Sequence, residues 1–344
     1  MQERIAMNNL FGMTKEGCLE VMKKLGEPSF RGNQLYQWLY EKKVTNFDAC
    51  TNFSKALREK MKADYDIEHG AIIKIQSDPE DQTHKYLIRL QDGECIETVL
   101  MAYHHGYSLC VSSQVGCAMG CAFCASTRGG LVRNLTAGEI LDQIYLIEDE
   151  RQVRVSNVVI MGIGEPLANY RAVMDFIALA NSGWGIGMRK ITLSTCGLVP
   201  EINRLAGEDL QINLAISLHS PFQSVREQIM PIAKRYDIQE LLKSCKKYFT
   251  KTSRRLTFEY ALIAGVNDRP EDVRELTRLF KGLPVHINLI ALNPVTESHL
   301  KGSKNVNFFS DELKRNGINC TIRRKMGNNI DAACGQLRQQ TKIH

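Results

Sequence analysis

Apolar positions change their period twice along this 344-residue chain. Up to about residue 70 they recur at helical spacing, most clearly over 28–43, where Phe30, Leu35, Trp38 and Leu39 lie among basic and polar residues. That pattern predicts an amphipathic helix whose aromatic stripe faces a core. Between 71 and 113 the period shortens to two, in 71–76, 85–90 and 96–102, and Asp92-Gly93 carries the turn signal of a hairpin. From about 107 onward strand-like runs (107–113, 156–161, 190–195, 213–219, 256–263 and 286–292) alternate with helical ones such as 170–181 and 239–249. Thr136-Ala137-Gly138-Glu139 reads as a capping box that opens a helix running to about Glu150. Six βα units without a break in composition predict an α/β fold, an open, partial (β/α)6 parallel barrel over 107–344. A small helical accessory domain (1–70) and a β-rich bridge (71–106) precede it, and the polar segment 297–307 reads as a loop.

Composition narrows the class. No run approaches the ~18 apolar residues of a membrane span, and residues 1–5 lack the apolar core of a signal peptide, so a cytoplasmic, monomeric protein without membrane contact is expected. Eleven cysteines, six of them scattered singly (Cys18, Cys50, Cys95, Cys196, Cys245, Cys320), read as reduced thiols and exclude a secreted disulfide framework. The net charge of +6 is weak evidence for an anionic partner. Most basic pairs, among them Arg189-Lys190, Lys246-Lys247 and Arg254-Arg255, are accounted for as solvated faces; Arg323-Arg324-Lys325 stands near a C-terminal cysteine, Cys334.

The chemistry concentrates in Cys117-Ala118-Met119-Gly120-Cys121-Ala122-Phe123-Cys124. C-x3-C-x2-C supplies three thiolates to a cluster that wants four ligands, leaving one iron open. The run lies between the strand 107–113 and the helix from Thr136, in the kind of loop where a barrel enzyme keeps its active site. A zinc site with a distant fourth ligand, or plain buried thiols, would also use such cysteines. The spacing resembles that of the radical S-adenosylmethionine (SAM) superfamily, whose open iron is chelated by SAM and whose cluster splits SAM to a 5′-deoxyadenosyl radical. Polar residues gather where the strands finish: Gly162-Ile163-Gly164-Glu165-Pro166, Ser194-Thr195-Cys196-Gly197, Ser217-Leu218-His219 and Asn293-Pro294. A turn glycine, a surface glutamate or a hydrogen-bonded barrel histidine would explain each alone. Together they would ring one barrel mouth with the groups that hold an adenosyl nucleoside and its ammonium. Glu97 in Ile96-Glu97-Thr98-Val99 reads as the polar face of a strand, and Cys110 and Cys334 as small buried residues, Cys334 within a small-residue loop.

Five motifs standing in order carry a more specific resemblance: Cys110-Val111-Ser112-Ser113-Gln114-Val115-Gly116-Cys117, the cluster run, Met161-Gly162-Ile163-Gly164-Glu165-Pro166-Leu167-Ala168-Asn169, Ser217-Leu218-His219 and Asp331-Ala332-Ala333-Cys334-Gly335-Gln336-Leu337. Over nearly its full length, more weakly in the N-terminal helices, the chain resembles the bacterial dual-specificity adenine-C2 RNA methyltransferases. The resemblance implies an enzyme with one 4Fe-4S cluster on Cys117, Cys121 and Cys124, and SAM, two per turnover, bound by Gly164, Glu165, Ser194, Ser217, Leu218, His219 and Asn293. It implies Cys334 as methyl carrier, Cys110 as its disulfide-forming partner and Glu97 as proton acceptor. It further implies 23S rRNA and tRNA as substrates, a flavodoxin- or ferredoxin-type electron donor, and a helical domain that docks RNA. The chemistry explains the two extra cysteines: carbon 2 of adenine is electron-poor and cannot attack the methyl of SAM, whereas a thiolate can. A sister family methylates carbon 8 of the same rRNA adenosine and confers antibiotic resistance; Pro166 after Glu165 looks more like the C2 branch. From a different class, a non-catalytic zinc- or cluster-bearing RNA-binding protein would place a fourth protein ligand beside the three cysteines.

Overall fold

A computed structural model describes residues 8–295 and 298–338. The expectations at residues 1–5 and at Glu297 therefore lie outside the described residues. One ten-stranded sheet organises the chain, and its strands follow sequence order from edge to edge: β1 (Ala71–Ser77), β2 (His84–Arg89), β3 (Cys95–Tyr103), β4 (Gly106–Val111), β5 (Val155–Ile160), β6 (Ile191–Thr195), β7 (Asn213–Ser217), β8 (Leu256–Leu262), β9 (Val285–Ala291) and β10 (Asn319–Ile322). β1 to β4 pair antiparallel, and β4 to β10 pair parallel. β1 and β10 are the two edges, so the barrel is open.

The six expected parallel strands are present. A seventh, β10, follows the helix Val306–Arg315, whose first turn takes up the end of the expected loop 297–307. The bridge strands extend the same sheet, and residue 106, the last of the expected bridge, opens β4. Parallel strands covered on both faces read as continuous apolar runs. β8, Leu-Thr-Phe-Glu-Tyr-Ala-Leu, is buried at every position except half-buried Thr257, which makes its single charge, Glu259, conspicuous.

The helix Ala137–Arg151 starts at the expected capping box: Thr136 Oγ1 accepts from Glu139 N–H at 3.1 Å, and the Glu139 carboxylate accepts from Thr136 N–H at 2.8 Å. The N-terminal helices Lys15–Lys24, Phe30–Tyr40 and Lys55–Asp64 share one contiguous core with it. Of the expected apolar stripe, Leu35 and Leu39 are buried and Trp38 packs against that core. Phe30, at the helix N-terminus, is 52% exposed, with the Arg31 guanidinium 5.0 Å from its ring centroid. Gly12 and Gly138 allow the N-terminal segment to touch the helix, since a Cβ on Gly12 would lie 2.2 Å from Gly138 Cα. Among the described residues no helix is long and apolar enough to cross a membrane.

Glu148, buried near the end of that helix, ties the layers together. Its carboxylate accepts from Trp184 Nε1 at 3.1 Å and Val155 N–H at 2.9 Å, and pairs with Lys43 at 2.8 Å and Arg154 at 3.2 Å. Removing it leaves two buried neutral donors without an acceptor. Glu148→Ala is expected to lower unfolding free energy by about 2–3 kcal/mol, with Glu148→Gln losing less, as read by denaturant titration.

Candidate active site

The parallel strands deliver their C-terminal ends to one mouth. After β4 the chain forms a short antiparallel ladder, Gln114–Gly116 with Leu131–Asn134, which closes the neck of the cysteine loop. Cys117 N–H donates to Gly130 O at 2.8 Å, Ala122 N–H to Ile229 O at 2.9 Å and Ala125 N–H to Gly335 O at 2.7 Å, so the loop is anchored at both ends. Cys117, Cys121 and Cys124 line one wall of a cavity with about 940 Å³ of empty space, open solvent included. Gly164, Glu165, Ser194, Ser217, His219 and Asn293 line the rest. Leu218 does not; its side chain is fully buried in the core, and only its backbone belongs to the mouth.

Each lining group has a local reason for its place. Gly164 adopts φ +112°, and a Cβ there would lie 2.7 Å from Gln114 Cβ, so only glycine fits. Glu165 is fixed by three hydrogen bonds: its N–H donates to Gln114 Oε1 at 2.8 Å, while its two oxygens accept from Leu167 N–H at 3.0 Å and Cys196 N–H at 2.8 Å. Burial pushes its carboxyl above the usual range, a cost that a cationic ligand would offset. His219, at φ +56°, accepts from Ala261 N–H at 2.9 Å through Nδ1, which leaves Nε2 as the protonated nitrogen. Burial, with Arg226 adding, drops its pKa to about 3, so it is neutral near pH 7.

Two charged groups at this mouth escaped the sequence reading. Glu259 on β8 is buried; one oxygen accepts from Asn288 Nδ2 at 2.9 Å, and the other, with no hydrogen bond, lies 3.6 Å from Arg323 Nη1. The signal was available in the lone charge of an apolar strand. Arg323 was noticed only as part of a basic run, whereas its side chain lines this cavity and the adjoining one.

The adjoining cavity holds the two remote cysteines. Register pairs Cys110 on β4 with Val99 on β3, and both line it together with Met101 and Tyr103. Cys334 lines both cavities. Burial, then the neighbouring Cys334, pushes the Cys110 thiol up to about 12. All eleven cysteines are free thiols, so the disulfide expected between Cys110 and Cys334 at the end of a turnover is absent from this state. Glu97 lines neither cavity. It sits one pleat below Val99 on the same face of β3, 3.4 Å from Lys85 Nζ, and accepts Arg338 N–H at 2.9 Å.

That bond is one of several holding the C-terminal loop. Asp78 accepts from both the backbone and the side chain of Asn329 at 3.1 Å, Asp81 accepts Gly327 N–H at 2.8 Å, and Lys85 donates to Asp331 O at 3.2 Å. Asn293 Nδ2 donates to Cys334 O at 3.2 Å, and Asn293 Oδ1 is buried with no partner.

The donor set fits an iron–sulfur cluster and SAM. The three thiols are each raised by burial, Cys117 to about 12, and thiolate charge on one further disfavours it on another, so together they call for a polycation. A single zinc ion draws its ligands to about 2.0–2.3 Å from one point. Among the described residues no group of three or more His, Cys, Asp or Glu side chains is arranged to hold such an ion. The three thiols instead border a roomy cavity whose far side offers the Glu165 carboxylate and the unpartnered oxygens of Glu259 and Asn293.

Comparison with known proteins agrees with this geometry. The profile of the ribosomal RNA large subunit methyltransferase N-terminal domain matches residues 8–67, and that of the radical SAM superfamily matches residues 111–279. Proteins named probable dual-specificity RNA methyltransferase RlmN are similar over nearly the whole chain: that of Lachnospira eligens is 49% identical over 97% of either chain, as is that of Clostridium perfringens strain 13. The crystal structure of a radical SAM methyltransferase from Sphaerobacter thermophilus superposes with a TM-score of 0.89 at 41% identity, covering 96% of this chain and 99% of that one.

The clasp on the C-terminal loop is testable. Asp78→Ala is expected to leave the barrel folded while amide exchange over 326–338 speeds up several-fold by mass spectrometry. The N–H of Glu80, then Asn329, holds the Asp78 carboxyl below its ordinary range. A depressed pKa contributes stability that is present above the unfolded value and lost as pH falls through the folded one. Exchange in the wild type should therefore be flat from pH 5 to 8 after correction for intrinsic rates, and rise only below about pH 4.

Proposed function

The chain belongs to the RlmN family of dual-specificity radical SAM RNA methyltransferases, and from that premise we propose that it methylates carbon 2 of an adenosine in 23S rRNA and of the adenosine following the anticodon in tRNA, through an S-methylcysteine on Cys334. The observation that carries this reading is the place of Cys334, whose side chain borders both the cavity of the three cluster cysteines and the cavity of Cys110. A sulfur that must take a methyl at one site and deliver it at another needs access to both.

Membership implies a 4Fe-4S cluster and SAM. Cys117, Cys121 and Cys124 would hold the cluster; Glu165 would take the ammonium of SAM, and Ser194, Ser217, His219 and Asn293 its nucleoside, with the backbone of Leu218 between them. When bound, the cluster supplies the electron that splits SAM and so delivers a 5′-deoxyadenosyl radical. Cys334 takes a methyl from a first SAM as a thiolate, forming S–CH3 as the sulfonium C–S bond breaks. Its methyl then gives up a hydrogen atom to the radical from a second SAM and adds to the adenine ring, joining enzyme and RNA. The adduct would then lose its C2 proton to Glu97, which sits one pleat below Val99, and its unpaired electron back to the bound cluster, restoring the aromatic ring. Cys110 attacks the Cys334 sulfur, the sulfur–carbon bond breaks, and methylated RNA departs from a Cys110–Cys334 disulfide. A flavodoxin- or ferredoxin-type donor would supply electrons, and residues 8–67 would dock the RNA.

Cys117→Ala, Cys121→Ala and Cys124→Ala should each be iron-poor after reconstitution and lack the broad absorption near about 400 nm, because a three-cysteine site has no spare ligand. An intact SAM-cleaving cluster in any of them overturns the assignment.

The two remote cysteines should give opposite phenotypes. Cys110→Ala can form the covalent intermediate but cannot resolve it, so it should carry RNA as a nuclease-sensitive upward shift on a denaturing gel. Cys334→Ala and the double variant should show no shift. Normal turnover by Cys110→Ala sinks the methyl-carrier mechanism, and mass spectrometry of the modified nucleoside separates carbon 2 from carbon 8.

A further inference from the structure

The cavity of Cys110 and Cys334 opens beside an exposed hairpin tip. β3 ends at Tyr103, β4 begins at Gly106, and His104 and His105 form the two-residue loop between them. Tyr103 lines the cavity, and its ring stacks on His105 with centroids 5.2 Å apart and planes 16° from parallel. His104 meets His105 nearly at right angles, at 4.9 Å. Both histidines are exposed. Tyr103 pairs with Gly106 and Ala102 with Tyr107 at the base of this tip.

We propose that the Tyr103–His105 stack is the platform on which the unpaired RNA base next to the reacting adenosine lies, an inference that rests on the RNA methyltransferase reading above. Cys110 is 8% exposed, so an adenine can reach this pair of sulfurs only by leaving its helical stack. Its neighbour then loses a stacking partner, and a ring face at the cavity mouth replaces it without reading sequence. The charge at the mouth suits the adjoining phosphates, because Arg324 and Lys325 are exposed and line the same cavity. Glu80 and Asp81 share a shallow pocket with Tyr103 and Arg324. Asp81 is occupied there by the N–H groups of Thr83 and Gly327, which leaves Glu80 as the exposed acid near the basic pair.

The test uses the full chain and an RNA stem–loop carrying 2-aminopurine beside the loop adenosine. Binding to the wild type should quench its fluorescence. His105→Ala, an exposed position that cannot compromise the core, and Tyr103→Ala should lose most of the quench and weaken RNA binding by about tenfold. Tyr103→Phe and His105→Tyr, which keep the ring faces, should restore both. Arg324→Ala should weaken binding in a different way, keeping the quench but lowering the salt slope by about one. If both alanine variants quench and bind as the wild type does, the platform is wrong. A lost quench in these variants supports it even where Cys110→Ala gives no adduct, whereas an adduct with the quench retained overturns the platform alone.

Discussion

Three thiols and two carboxylates meet at the mouth of one barrel, and burying so much negative charge is the constraint around which the site is built. Backbone N–H groups hold Glu165 from both sides, and Arg323 stands 3.6 Å from Glu259. Hydrogen bonds from Met119 to Cys117 and from Ser126 to Cys124 work the same way on the thiols, yet burial outweighs them and all three stay raised. Burial raises the three thiols and both carboxyls, so the site favours a cationic occupant. The scaffold makes this affordable by fixing the donors on strand ends and short loops. Gly164 at positive φ and the ladder at the neck of the cysteine loop are examples of that rigidity.

What the sequence disclosed is what local rules encode. Cysteine spacing, the Thr136–Glu139 capping box and the strands that read as apolar runs all depend on neighbours a few residues apart. The misses depend on contacts that cross the chain. β10 is four mostly exposed residues at an edge, too short and too polar to announce itself. Asp78 and Asn329 are 251 positions apart, and no local pattern says that a hairpin carboxylate will clasp the C-terminal loop. Sequence places Arg323 near Cys334 but cannot show that it meets Glu259 of β8 and lines both cavities.

The clasp and the two cavities bear on one mechanical requirement. Cys334 sits in a loop held by side chains of β2, β3 and the hairpin between β1 and β2, and by Met326, Ile330, Ala332 and Leu337 packed against Val99, Met101 and Cys110. Hydrogen bonds of this kind are individually worth about 1 kcal/mol and exchange readily with water. These bonds and the apolar cluster together keep Cys334 at the junction between the two cavities. Cys110, by contrast, is fixed on a strand by the β3–β4 ladder.

Strand β3 shows why the bridge had to join the main sheet. With a period of two, one face of it carries Glu97, Val99, Met101 and Tyr103 in succession. Glu97 holds the end of the C-terminal loop, Val99 and Met101 line the cysteine cavity, and Tyr103 stands at its mouth. A single strand thus runs from the anchor of the C-terminal loop through the cavity of Cys110 and Cys334 to the surface. Register with β4 puts Cys110 opposite Val99, so the fixed thiol and the anchor are placed by the same ladder. A slip of one residue in that pairing would turn all four side chains to the other face and dismantle anchor, chamber and mouth together.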